Sequence, residues 1–147
     1  MTALSTTAQL DAPLAAVWAV VGQPRRLGEW VANHRGFTGE GPAELVVGDA
    51  FVEQIGVFGV DAELRWTVRE VLPARRVALT AQGPMGITLR TSYELVEAPE
   101  GGLPTSFTLS MDAAGMLLVA LGTLVRKEFA SVQRESLAML RRVVEGA

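Results

Sequence analysis

The chain has 147 residues, 49% hydrophobic and 20% charged, a composition that excludes intrinsic disorder and predicts one domain over residues 1–147. It has no cysteine and one histidine, which excludes disulfides, zinc fingers, thiol nucleophiles and multi-histidine metal sites, so we predict no metal and no cofactor. Sixteen acidic and thirteen basic residues give a net charge of −3, and we therefore expect no nucleic-acid partner.

The first thirty residues predict a strand followed by two short helices. Apolar and polar residues alternate from Leu4 to Leu10, which is typical of a strand. Asp11 and Pro13 then form a favourable helix start, and that helix is expected to end at Gly22. A second short helix is predicted over residues 24–31, so the two helices should form a bent arm.

The middle of the chain predicts an antiparallel meander, because no connection between its strands is long enough for a crossover helix. The alternation predicts strands over residues 35–39, 49–56, 60–71, 75–82, 86–97 and 104–112. The last thirty or so residues change to helical spacing, with an apolar stripe of Leu118, Leu121, Val125, Phe129, Val132, Leu140 and Val143. We therefore predict an α+β fold, in which a curved seven-stranded sheet wraps around the long C-terminal helix and leaves an unfilled apolar interior.

The sequence shows no secretion or membrane signal. Residues 1–7 contain no basic region followed by an apolar core, so no signal peptide is expected. The longest apolar run, residues 113–125, is too short to cross a bilayer and has the length of a buried helix. We therefore predict a cytoplasmic protein without a transmembrane segment.

Six short motifs carry a resemblance to a known superfamily. They are DAPLAAVW at residues 11–18, LGEW at 27–30, VGD at 47–49, WTVREVLP at 66–73, TSY at 91–93 and ESLAML at 135–140. In this order they resemble the START-like superfamily, the polyketide cyclase/dehydrase and lipid-transport group. The resemblance implies a helix-grip (START/Bet v 1-like) fold and, in different members, lipid transfer, polyketide cyclisation or hormone binding. Residues 30–73 are most similar to an actinobacterial group labelled as toxins of toxin–antitoxin pairs, which implies a protein partner.

Two polar residues on apolar strand faces are the weak catalytic candidates. Glu53 shares a strand face with Phe51 and Ile55. If that face is the concave one, the carboxylate points into the interior and would orient a ligand or donate a proton. If the strand is turned the other way, Glu53 lies in solvent. Tyr93 is the only tyrosine, and its hydroxyl needs Glu53, water, a ligand or the backbone as a partner. His34 is more typical of a helix C-terminal histidine that bonds free carbonyls than of a general base.

Three glycine-flanked connections, at residues 56–59, 83–86 and 115–117, are expected at the same end of a meander. Large apolar residues stand there where polar ones are usual: Val57, Phe58, Met85, Met116 and Leu117. Together they predict either the mouth of a cavity or a partner-binding surface.

The leading hypothesis is a domain that binds a small hydrophobic, lipid- or polyketide-like ligand between the sheet and the last helix. Its predicted lining is Trp30, Phe37, Phe51, Glu53, Trp66, Leu89, Thr91, Tyr93, Phe107, Met111, Leu121, Val125 and Phe129. One alternative is a cyclase- or dehydratase-type enzyme with Glu53 and Tyr93 as acid and base. The other is a toxin-like interaction protein, with a homodimer or a small protein as its partner.

Overall fold

Residues 3–146, the part of the chain that the computed structural model describes, form seven strands and three α-helices; of Leu117 only the backbone is described. The strands are β1 (Leu4–Leu10), β2 (His34–Phe37), β3 (Ala50–Val57), β4 (Val60–Leu72), β5 (Arg76–Gln82), β6 (Thr88–Val96) and β7 (Thr105–Ala114). The helices are α1 (Leu14–Val21), α2 (Leu27–Trp30) and α3 (Leu117–Glu145), with 3-10 turns at Pro24–Arg26 and Pro84–Gly86.

All seven strands belong to one antiparallel sheet, in the order β1-β7-β6-β5-β4-β3-β2. Strands β2 to β7 follow one another as a meander, and β1 pairs with β7 at the far edge. Helix α3 packs mainly on β1 and α2 and covers the concave face of the sheet. Along strands such as β6, buried side chains on this face alternate with exposed side chains on the other face. The predicted α+β fold is confirmed.

The strand boundaries differ from the predictions at the two irregular places. β6 begins at Thr88 because the preceding residues form the 3-10 turn Pro84–Gly86, in which Met85 has a φ of 60°. β2 spans His34–Phe37 rather than residues 35–39, and a bulge interrupts its pairing with β3 between His34 and Gly36. This bulge matters because it alters which side chains of β2 face the interior.

The buried face of α3 contains two polar residues that the apolar stripe did not include. Gln133 and Ser136 are almost fully buried. The Gln133 amide accepts a hydrogen bond from the Thr6 hydroxyl (2.8 Å) and donates one to the Leu4 carbonyl (3.2 Å). Ser136 Oγ accepts the Ala32 N–H (2.9 Å). Because each polar group finds a partner, their burial is compatible with a stable core.

The three glycine-flanked connections lie at one end of the sheet, as the antiparallel order requires. A Cβ placed on Gly115 would lie only 3.0 Å from the carbonyl oxygen of Gly86, so two of the connections touch. The third is tied to α3, because the Phe58 N–H donates to the Glu128 carboxylate (2.8 Å). The segment from Gly115 to Glu128 therefore contacts both of the other connections. Among the described residues no helix has the length and apolarity needed to cross a membrane.

Candidate functional site

A cavity of about 80 Å³ lies between the concave face of the sheet, α2 and α3. Small-molecule pockets usually have volumes of about 300–1,000 Å³, and this one has room for only a few water molecules. The unfilled interior is therefore much smaller than the sequence predicted, because large side chains such as Phe51, Trp66 and Phe129 fill most of the space.

Most of the predicted lining residues are in the cavity wall. These are Phe51, Glu53, Trp66, Leu89, Thr91, Tyr93, Met111 and Phe129. Further wall residues that the sequence did not suggest are Leu27, Val31, Asn33, Ile55, Leu64, Leu109, Val132, Gln133 and Ser136. The wall is thus mostly apolar, with a few polar groups from both the sheet and α3.

The other predicted lining residues lie elsewhere. The Trp30 ring packs edge-on against Tyr93 (5.5 Å between ring centres) and Phe107 (5.6 Å), so these rings form solid core. Phe37 packs against Phe51, and Val125 is buried on α3. Leu121 is 39% exposed, which corrects its predicted place in the lining, because Leu118 and Val125 are the residues that this part of α3 turns toward the core.

Glu53 is the central polar group of the site. Its carboxylate is buried and points to the interior with Phe51 and Ile55, not to solvent. Oε2 lies 2.6 Å from His34 Nδ1, and Oε1 accepts the Trp66 Nε1–H at 2.8 Å. Two nitrogen partners thus compensate the carboxylate for the water it loses on burial.

His34 does not cap a helix, so that interpretation of the sequence is wrong. It begins β2 and pairs with Ile55, which makes it a diagonal neighbour of Glu53 on the same face. The bulge allows both His34 and Phe37 to face inward, although they are three positions apart and a regular strand would place them on opposite faces. Sequence reasoning missed this pair because a bulge reverses the expected alternation.

Tyr93 lies in the same cavity wall as Glu53. Burial raises the pKa of its hydroxyl far above the ordinary value, and the nearby negative charge of Glu53 raises it further. The phenol therefore stays protonated at physiological pH and is suited to donate a hydrogen bond rather than to act as a base.

Two buried polar atoms have no hydrogen-bond partner among the described residues. They are Thr91 Oγ1, in the cavity wall, and Trp30 Nε1, within the aromatic core. An unpartnered buried polar group costs about 1–3 kcal/mol, so native proteins rarely keep one without a reason. Thr91 is two residues from Tyr93 on the same face of β6, which places two hydroxyl-bearing residues side by side in the wall.

The predicted mouth residues differ in exposure. Met85 and Met116 are 75% and 86% exposed, and Phe58 is about half exposed. Val57 is partly buried against the core, and the side chain of Leu117 lies outside the described residues. Within residues 3–146, no group of three or more His, Cys, Asp and Glu side chains is arranged to hold a metal ion.

The sequence comparison assigns the family. Residues 1–145 match the family described as polyketide cyclase / dehydrase and lipid transport. The chain belongs to this family. A search of curated proteins finds no significant match, and the comparisons do not show the resemblance to the toxin-like group, which stays a prediction.

Solved structures show the same fold at low sequence identity. A START superfamily protein from Mycobacterium smegmatis superposes with a TM-score of 0.79 at 15% identity, over 98% of this chain and 97% of that one. A Thermus thermophilus protein gives 0.75 at 13% identity (99% and 98% coverage), and one from Rhodobacter sphaeroides gives 0.73 at 20% (99% and 93%). At these identities the likeness establishes the fold alone.

Proposed function

We propose that this member of the family binds a small, largely apolar molecule with a polar substituent in the cavity between the sheet and α3. The observation that carries the proposal is a mostly apolar wall to which the sheet contributes two buried polar side chains: the paired carboxylate of Glu53 and the unpartnered hydroxyl of Thr91. A ligand hydroxyl or carbonyl would give Thr91 the partner that the protein does not supply.

The size of the cavity sets a condition on the ligand. Molecules of roughly the size of a six-membered ring require about 150 Å³, so even these need the wall to expand. A lipid- or polyketide-sized ligand requires a larger change, in which side chains such as Met111 and Phe129 move aside or α3 shifts on the sheet. Binding therefore selects an open form that differs from the closed one described above.

The Thr91→Val variant tests the polar contact, because valine keeps the shape of threonine and removes its hydroxyl. We expect cyclohexanol to bind the variant about three- to tenfold more weakly than the native protein, and cyclohexane to bind both equally. The indole N–H signal of Trp66, followed by NMR, reports occupancy of the cavity. Thr88→Val, on the exposed face of the same strand, is the matched control.

Two results would contradict the proposal. If neither compound shifts the Trp66 signal, and native mass spectrometry of the purified protein shows no retained molecule, the cavity is only a packing defect. If Thr91→Val weakens cyclohexane and cyclohexanol equally, the hydroxyl has no part in recognition.

The exposed apolar connections favour a second candidate, an interaction protein. Phe58, Met85 and Met116 would then contact a second copy of the chain or a small protein partner. Light scattering of the native protein and of a Met85→Ser variant tests this. A dimer that the substitution dissociates would support the candidate, and a monomer in both cases would count against the homodimer.

A further inference from the structure

The carboxyl group of Glu53 links a histidine to the cavity. Glu53 lies in the cavity wall, whereas His34 reaches the site only through its 2.6 Å contact with Glu53 Oε2. Their side chains are 5% and 10% exposed, respectively, so little water competes for this contact. The Phe37 ring packs against the imidazole (5.0 Å between ring centres), and a Cβ placed on Gly28 would lie 3.6 Å from His34 Cδ2.

Trp66 fixes the orientation of the carboxyl group. An indole N–H can only donate, so Oε1 of Glu53 must accept from Trp66 whatever the state of His34. With one oxygen held by Trp66 and the other by His34, the carboxyl plane cannot rotate. A carboxylate has about four lone-pair positions and only two are used here, so the remaining ones are available to a molecule in the cavity.

Few other charges influence this pair. Tyr93 is the only other titratable residue of the cavity wall within residues 3–146, and the residues that α3 contributes to the wall are uncharged. The charged side chains of the neighbouring elements point to solvent and pair with one another or with polar neighbours: Glu29 of α2 with Arg26, Arg35 of β2 with Asp61, and Glu63 of β4 with Gln54. His34 is therefore the ionisable side chain in direct contact with the carboxyl group of Glu53.

We propose that Glu53 is a general base toward a neutral carbonyl compound held in the cavity, and that His34 is the positioning residue that keeps its carboxylate aimed. The proposal rests on the proposed function in so far as the compound must enter the cavity. It gives the site an activity, the transfer of a proton from carbon, in addition to binding.

The reaction needs no oxidant or other reactant. The C–H bond next to the carbonyl group breaks, its proton forms an O–H bond on Glu53, and the electron pair moves to the carbonyl oxygen to give an enolate. The hydroxyls of Thr91 and Tyr93, in the same wall, are the donors that stabilise the enolate oxygen. Return of the proton from Glu53 to the oxygen gives the enol and completes a tautomerisation, whereas its return to the carbon regenerates the ketone.

Hydrogen–deuterium exchange of cyclohexanone in D₂O measures this reaction, because the signal of the hydrogens next to the carbonyl is lost when Glu53 takes a proton, exchanges it with D₂O and returns a deuteron to the carbon. With the native protein we expect exchange to be faster than in buffer and to saturate with ketone. Glu53→Gln keeps the shape of the side chain and should lower the protein-dependent rate by about 100-fold or more. Thr88→Val should leave it unchanged.

The pH profile separates a positioning role of His34 from a merely structural one. Since His34 is the only imidazole in the chain, its NMR titration is unambiguous. We expect the exchange rate of the native protein to change with pH at the midpoint of that titration. His34→Asn keeps an N–H donor but cannot titrate, so it should lower the rate roughly tenfold and remove this inflection.

The outcomes distinguish the two proposals. If cyclohexanone shifts the Trp66 signal but exchange is no faster than with Glu53→Gln, the general base is wrong while binding stands. If the ketone shifts no signal, both proposals fail for carbonyl compounds of this size. If His34→Asn keeps the native inflection, His34 is only structural. Should Glu53→Gln fail to fold, Glu53→Asp, which withdraws the carboxylate by one methylene, must still slow the exchange.

Discussion

The two halves of α3 differ in how much of their apolar surface is buried against the rest of the molecule. The second half, residues 129–145, buries Phe129, Leu137 and Leu140 and is joined to β1 and the α2–β2 connection by the hydrogen bonds of Gln133 and Ser136. In the first half, residues 117–128, Leu118 and Val125 are buried, but several large apolar side chains are exposed: Val119, Leu121 and Leu124. Glu128, at the end of this half, accepts a hydrogen bond from the Phe58 N–H.

This difference indicates where the cavity can open. Regions with few buried apolar contacts open at the lowest free energy. The first half of α3 exposes Val119, Leu121 and Leu124 and lies against the glycine-flanked connections, whereas the second half holds the helix on the sheet. We therefore expect ligand entry at the end of the molecule that carries Phe58, Met85 and Met116, with the second half of α3 as the fixed point.

The largest expected effect comes from removing an anchor of the second half. Leu140 is completely buried, so Leu140→Ala should lower the free energy of unfolding by about 2–5 kcal/mol through lost burial and a residual cavity. The matched substitution in the first half, Leu124→Ala, should change it by less than about 0.5 kcal/mol. Urea denaturation of both variants gives the two values, and similar losses would mean that the halves are equally anchored.

A smaller loss of stability should follow from removing the buried hydrogen bonds of Gln133. Gln133→Leu leaves the Thr6 hydroxyl and the Leu4 carbonyl without their side-chain partner, which should destabilise the protein by about 1–3 kcal/mol even though leucine is the more hydrophobic residue. Thr123→Leu, at an exposed position of the first half, is the control and should be nearly neutral. A stabilised Gln133→Leu variant would show that the hydrogen bonds contribute nothing.

The sequence predicted most of the fold because the fold follows from periodicity. Alternation in β3, β4, β5 and β6 reflects one buried and one exposed sheet face, so their boundaries could be placed to within about two residues. The anchors of α3 were only partly predictable. A stripe of apolar residues cannot reveal Gln133 and Ser136, whose burial depends on partners more than one hundred positions away in the chain.

Of the candidate site, only the residues that stand out within one strand could be predicted from the sequence. Glu53 and Tyr93 could be proposed because each interrupts an apolar strand face. The contact between His34 and Glu53 depends on the register of β2 with β3 and on the bulge at His34, and a strand of four residues contains too little alternation to reveal either. The exposure of Leu121 was not predictable from the apolar stripe, because the buried Leu118 and Val125 belong to the same stripe.

The pH dependence of stability tests how well the region around Tyr93 excludes water. Because Tyr93 is buried against Trp30, its raised pKa means that the folded protein keeps the phenol proton after an unfolded chain has lost it at about the ordinary value of 10.0. Stability is therefore unaffected by this group below that pH, and above it falls by about 1.4 kcal/mol per pH unit. Tyr93 is the only tyrosine, so tyrosinate absorbance should appear together with unfolding. Absorbance that rises in the folded state would show that water reaches this region.

The smallest effect on stability is expected for substitutions in the glycine-flanked connections. These substitutions are also the most direct test of whether ligands enter at that end of the sheet. Phe58→Ser and Met85→Ser replace exposed side chains, so the free energy of unfolding should stay within about 0.5 kcal/mol of the native value. Binding of an apolar ligand, followed with the fluorescent dye ANS, should nevertheless weaken several-fold, because the entering molecule loses its first apolar contacts. Leu103→Ser removes an equally exposed apolar side chain near the β6–β7 connection, at the opposite end of the sheet, and should leave binding unchanged. If all three variants bind the dye like the native protein, entry does not occur between the connections, and the exposure of the first half of α3 needs another explanation, such as the contact with a partner considered above.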